Sequence, residues 1–281
     1  MSTRQPDERI DIGVNLGHAS FGRDRDEVIA RAVSAGVTTM IVTGTCEGGS
    51  ASGLELADRH PETLFSTVGV HPHNAKQSDD ATIGALRGMA GHPRAVAIGE
   101  CGLDFNRDFS PRPVQERWFE AQVELACELG KPLFLHERDA HVRLVDLLRP
   151  NRGRLVGAVV HCFTGTLAEL EAYLDLDLHI GITGWICDER RGTHLRELVG
   201  RIPANRLMVE TDAPFLLPRN LKPQLADRRN EPATLPHVVE EVARATGRTY
   251  SDVAESTTRT ARAFFGLEAM SVGEGSAAHA D

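Results

Sequence analysis

The chain has 281 residues, 41% hydrophobic and 25% charged, with a formal net charge of −9. That composition fits a soluble globular protein with a substantial core and leaves no global positive field for nucleic acid, so any such contact needs a local basic patch. No apolar stretch reaches the roughly 18 to 20 residues of a membrane span, the polar start MSTRQPDERI is no secretory signal, and five scattered cysteines without a CxxC pair point to reduced thiols in the cytoplasm.

Strand-like and helix-like runs alternate along the chain. Residues 1–9 lack periodicity and are expected to be flexible, and the first strand is expected at 10–15 (IDIGVN). Asp24 to Gly36 starts with an Asp-x-x-Glu capping pattern and stops on glycine, the signature of a helix. Strands follow at 37–43, 64–71, 94–100 and 132–136. A helix over 113–130 sets Trp118, Gln122, Leu125 and Leu129 along one side before Gly130. Further strands are expected at 156–161, 178–184 and 206–212, and a last helix near 250–265 should pack over the outside. The tail 268–281 lacks periodicity and is expected to be disordered.

Eight apolar runs, each followed by a helical stretch, argue for a single (β/α)8 TIM barrel over 10–267. An open doubly wound sheet is the alternative, for which eight strands is long. In a barrel the functional residues gather at the C-terminal strand ends. Here those ends carry Asn15, Thr43, His71, Glu100, His136, His161, Thr183 and Asp212.

Four of these ends, AVAIGE at Glu100, PLFLH at His136, GAVVH at His161 and LMVETD at Asp212, supply two carboxylates and two imidazoles. Such a set can hold a divalent cation and activate water, with Asp212 as a ligand or as the acceptor of the water's proton. The alternative is hydrogen-bonded core histidines with structural carboxylates, but charges are costly to bury unless paired or metal-bound. GVHPH (69–73) sets His71 and His73 at the same mouth, as phosphate contacts, as further ligands or as solvated loop residues. Arg190 and Arg191 after strand seven, and Arg219, Lys222, Arg228 and Arg229 after strand eight, could bind phosphate or simply face solvent. Trp185 and Phe215 could stack on a base or fill the core. Cys101 and Cys162 follow two of the ligand candidates and are expected to pack beside the site.

The stretches GVHPH (69–73), GECGLDF (99–105), HERDA (136–140), HCFTG (161–165), GITGWICDERRG (181–192), ETDAPFLLPR (210–219) and RRNEPATLPHV (228–238) together resemble the TatD-type metal-dependent deoxyribonucleases. The resemblance spans nearly all of residues 10–267, and DIGVN and GWICDERRG are closest to the branch that gives the family its name. It implies an amidohydrolase-like TIM barrel. The activity it implies is that of a cytoplasmic 3′–5′ exonuclease on single-stranded DNA and RNA, with a suspected part in repair of oxidative DNA damage. By position, Glu100, His136, His161 and Asp212 become the metal residues, Asp212 and Glu100 the catalytic ones. His71 falls by position in the substrate pocket, and His73, Trp185, Arg190, Arg191 and Arg219 on the same rim are the other expected substrate contacts.

Most of that family ends its first strand with Asp-x-His-x-His, whereas this chain reads Asp11-Ile12-Gly13-Val14-Asn15. Glycine offers no ligand atom and asparagine only a neutral oxygen. One tight metal position is therefore expected, held by Glu100, His136 and His161, with a second, weak one relying on water and Asp212. The ligand types suit Zn²⁺ or Mn²⁺, while the resemblance favours Mg²⁺. A monomer is expected. A metal-dependent deacylase acting on aminoacyl-tRNA is the competing enzyme, and a non-catalytic barrel that binds metal or nucleic acid is the third reading.

Overall fold

The computed structural model describes residues 8–223 and 228–267. Apart from Glu8 and Arg9, the start expected to be flexible and the tail expected to be disordered lie outside those residues, and Arg9 opens the first strand. Eight parallel strands follow in sheet order: β1 (Arg9–Val14), β2 (Val37–Val42), β3 (Leu64–Val68), β4 (Ala95–Asp104), β5 (Leu133–Arg138), β6 (Ala158–Val160), β7 (His179–Ile182) and β8 (Leu207–Val209). Helices alternate with them: α1 (Arg25–Ser34), α2 (Glu47–Arg59), α3 (Thr82–Ala90), α4 (Arg112–Leu129), α5 (His141–Leu148), α6 (Leu167–Asp175), α7 (Thr193–Leu198) and α8 (Leu235–Thr246), with α9 (Tyr250–Phe265) last. The barrel reading holds and the open sheet does not, because the first and last strands meet. Asp212 N donates to Gly13 O at 2.9 Å, and Asn15 N donates to Ala213 O at 2.8 Å. Deeper in the same seam, the buried Asp11 carboxylate accepts the Thr211 N–H at 2.9 Å.

Two apolar layers result from strands buried on both faces. Outside the barrel, residues such as Val14, Met40, Val68 and Leu135 pack against the helices. Inside it, Ile10, Ile12, Ile41, Phe65, Phe134, Val159 and Met208 form a second cluster, completed by Ala261, Phe265 and Leu267. The last helix therefore does more than cover the outside, since its C-terminal end contributes to this second core.

Two local expectations need correction. Asp24 sits at the N-cap of α1 but its side chain makes no capping bond. It pairs instead with Arg229 at 2.8 and 2.7 Å, because a bidentate ion pair is stronger than one cap bond. The fourth strand does not stop at Glu100 but runs to Asp104. Its pairing with β5 slips between Gly99 and Cys101, making Glu100 the extra residue of a bulge. Gly99 (φ 145°) and Gly102 (φ 138°) adopt backbone angles that L side chains rarely reach, and a Cβ on either would collide with a β5 carbonyl, of Phe134 and His136 respectively.

Candidate metal centre

The bulge in β4 re-aims Glu100 into the barrel mouth, where it is buried, and its Oε1 becomes the point on which three imidazoles converge. His136 Nδ1 and His161 Nε2 each lie 2.9 Å away, and His71 Nε2 lies at 3.3 Å. Burial alone would raise the Glu100 carboxyl. The charges of His161 and His71 and the hydrogen bonds from His136 and His161 overcome that and hold it well below its ordinary value.

Glu100, His136 and His161 form one set whose ligand atoms all lie within 4.8 Å of one another; His71, His73 and His136 form a second. His136 thus belongs to both. Its Nε2 is buried without a hydrogen bond, 3.4 Å from Asp104 Oδ2. One carboxylate, two imidazoles and a buried nitrogen left over match the donor chemistry of a divalent cation. His71 is differently employed: its Nδ1 accepts the His73 N–H at 3.1 Å, which leaves Nε2 as the donor towards Glu100. Burial drives the His71 pKa down to about 4 despite the nearby Glu100.

Asp212 lines the same cavity but stands outside both sets. Its Oδ1 accepts from Asn15 Nδ2 at 2.9 Å. Burial lifts its carboxyl to about 7, with His161 opposing and Glu100 and Glu210 adding to the rise. Asn15, in the position where the resemblance implied a lost ligand, therefore orients the carboxylate at the far end of the seam.

Two acidic residues at the centre escaped the sequence reading. Asp104 accepts from His73 Nε2 at 2.6 Å and, through Oδ1, from the backbone N–H of Asn106 and Arg107. Glu210 reaches His161 Nδ1 at 3.1 Å and accepts the Cys162 N–H at 2.6 Å. Each stands near a residue the sequence singled out. Glu210 precedes Asp212 by two, and Asp104 follows Glu100 by four.

The cavity above the centre measures about 590 Å³. His71, His73, Trp185 and Arg191 line it, together with Arg107, Arg138 and Phe215. Arg191 lies over the Trp185 ring at 4.4 Å. Arg190 and Arg219 are not among the lining residues: they are drawn to the buried Asp188, whose carboxylate lies 3.9 Å from Arg190 Nε, 3.4 Å from Arg191 Nε and 3.0 Å from Arg219 Nε. Arg229, from the same basic cluster, is bound into the Asp24 pair. Cys101 and Cys162 pack beside the centre as expected, and burial pushes both thiols far above their ordinary value.

A sequence profile for the family described as TatD related DNase matches residues 10–266. The chain belongs to this family. Among its TatD relatives, one from Erwinia tasmaniensis named 3′-5′ ssDNA/RNA exonuclease TatD is 53% identical over 258 residues, covering 92% of this chain and 100% of the relative. One of the same name from Salmonella typhimurium is 52% identical over 256 residues, covering 91% and 98%. The crystal structure of the TatD homologue YJJV from Escherichia coli superposes with a TM-score of 0.83 at 27% identity, covering 93% of this chain and 98% of that one. A TatD family hydrolase from Entamoeba histolytica, 24% identical with a TM-score of 0.83, covers 93% and 99% and shares the fold.

Proposed function

We propose that the protein is a divalent-metal-dependent 3′–5′ exonuclease acting on single-stranded DNA and RNA, as a monomer in the cytoplasm. The observation that carries the reading is the convergence of His136 and His161 on one oxygen of Glu100, at the floor of a cavity with arginines in its walls. The polarity and the substrates come from the names of relatives more than half identical over nearly the whole chain. Five unpaired cysteines suit a reducing compartment.

Glu100, His136 and His161 would hold the cation, with Mg²⁺ the ion we favour. A divalent ion in that position acidifies water and neutralises phosphate charge. The remaining work falls to the chain's own side chains. Asp212, oriented by Asn15, accepts the proton of the attacking water. His71, as an Nε2 donor, and Arg191 stabilise charge on the phosphate. Trp185 and Phe215 offer ring faces to the terminal bases, and stacking of that kind tolerates any sequence. Arg190 and Arg219 share Asp188 with Arg191 but do not line the cavity, and we assign them a supporting part on its rim.

The test is release of label from the 3′ and the 5′ end of single-stranded DNA and RNA, with and without chelator, beside hydrolysis of D-aminoacyl-tRNA. Chelator-sensitive release from the 3′ end supports the reading, and a Glu100→Ala variant should lose about a thousandfold, roughly 4 kcal/mol of transition-state stabilisation. Deacylation of the aminoacyl-tRNA without release of nucleotides would overturn it.

A further inference from the structure

We infer that Glu210 is the positioning residue of the metal centre: its carboxylate sets the orientation and the tautomer of His161. The inference rests on the metal half of the reading above and not on the choice of substrate.

Glu210 follows β8 directly and is fully buried. Both of its oxygens are used on the exit of β6. Oε2 lies 3.1 Å from His161 Nδ1, and Oε1 accepts the Cys162 N–H at 2.6 Å. Both ring nitrogens face carboxylates, which only accept, so without a cation both can donate; a cation bound with Glu100 would take the place of the Nε2 proton, while Nδ1 keeps the one it donates to Glu210. That leaves Nε2, 2.9 Å from Glu100 Oε1, as the nitrogen available to a cation. Metal-binding imidazoles are commonly fixed in this way through the nitrogen that does not bind.

The surroundings are shaped to admit this carboxylate. Gly13 on β1 and Gly181 on β7 flank it. A Cβ at Gly13 would collide with Oε2, and one at Gly181 would come within 2.6 Å of Oε1 and 3.3 Å of His161 Cα. Side chains at these two strand positions would displace Glu210 or be displaced by it. The absent side chain at Gly13, which reads in the sequence as a lost ligand, is in the fold the space that Glu210 occupies. A fully buried carboxylate is costly to maintain unless it is paired, and its hydrogen bonds go to His161 and its neighbour.

The experiment measures Mn²⁺ affinity and stoichiometry by calorimetry on the metal-stripped full chain, with no nucleic acid present. Glu210→Gln keeps the shape but places an amide against Nδ1, and Gly13→Ala pushes the carboxylate aside without removing it. Each should weaken Mn²⁺ binding about 10- to 100-fold. Gly200→Ala, whose added methyl meets nothing within 4 Å, should leave it unchanged. Wild-type affinity in a folded Glu210→Gln or Gly13→Ala variant overturns the assignment, whatever happens to thermal stability. A readout that needs no substitution covers the case where both variants fail to fold. With ¹⁵N-histidine labelling and Mg²⁺, His161 should show a protonated Nδ1 and an unprotonated Nε2, and the reverse tautomer overturns the assignment. Since no substrate enters either measurement, failure of the nuclease reading leaves this result separately readable.

Discussion

His136 and His161 turn opposite ring nitrogens towards the same atom: Nδ1 of the one and Nε2 of the other each lie 2.9 Å from Glu100 Oε1. The two imidazoles come from neighbouring strands, β5 and β6, and Glu100 from the bulge in β4, so three consecutive strands build the trio. Asp212 enters from the opposite side, across the seam that joins β8 to β1. This division predicts that ligand and proton-acceptor roles separate on mutation.

Asp212→Asn should therefore retain Mn²⁺ binding within a few-fold while its turnover falls about 10²- to 10⁴-fold, the usual contribution of a general base. Calorimetry alongside single-turnover kinetics checks this. A parallel loss of metal affinity would instead make Asp212 a ligand.

Both Arg191 and Arg219 pair with Asp188, but of the two only Arg191 lines the cavity and lies over Trp185. Arg191→Ala should raise KM for an oligonucleotide and reduce the salt dependence of log kcat/KM by about 0.7, the share of one phosphate contact on a single strand. Arg219→Ala should change both far less. Equal effects from the two would place Arg219 on the substrate as well.

Acid should loosen the junction of α1 with the segment before α8. Arg229 holds the Asp24 carboxyl at about 2, below its ordinary 3.8, with Arg31 adding to the shift. A depressed carboxylate contributes stability that is present above the unfolded value and lost as pH falls through the folded one. The contribution should therefore fade between about pH 4 and pH 2, and Asp24→Asn should lower the urea midpoint at pH 7 but not at pH 2. An unchanged midpoint at pH 7 would show that the pair contributes nothing to stability.

The barrel and the trio were legible because a buried strand can end in a charged residue only where something pairs with it, and Glu100, His136 and His161 each end an apolar run. Asp104 was not, because the bulge at Glu100 carries β4 four residues further, and hydrophobic pattern does not encode bulges. Glu210 was hidden for a different reason: with Asp212 two residues on, it read as the interior of a run, and its space is made by glycines on two other strands. Arg190 and Arg219 looked like substrate contacts on charge alone. Their shared pairing with Asp188, which Arg191 also joins, takes shape only when the loop after β7 is folded.

The most direct test is anomalous diffraction from crystals of the full chain soaked in Mn²⁺, since His136 belongs to two possible ligand sets. One dominant peak should appear among Glu100, His136 and His161, at about 2.0–2.2 Å from each donor atom. A dominant peak among His71, His73 and His136 would contradict the account and move the centre to the other side of that ring.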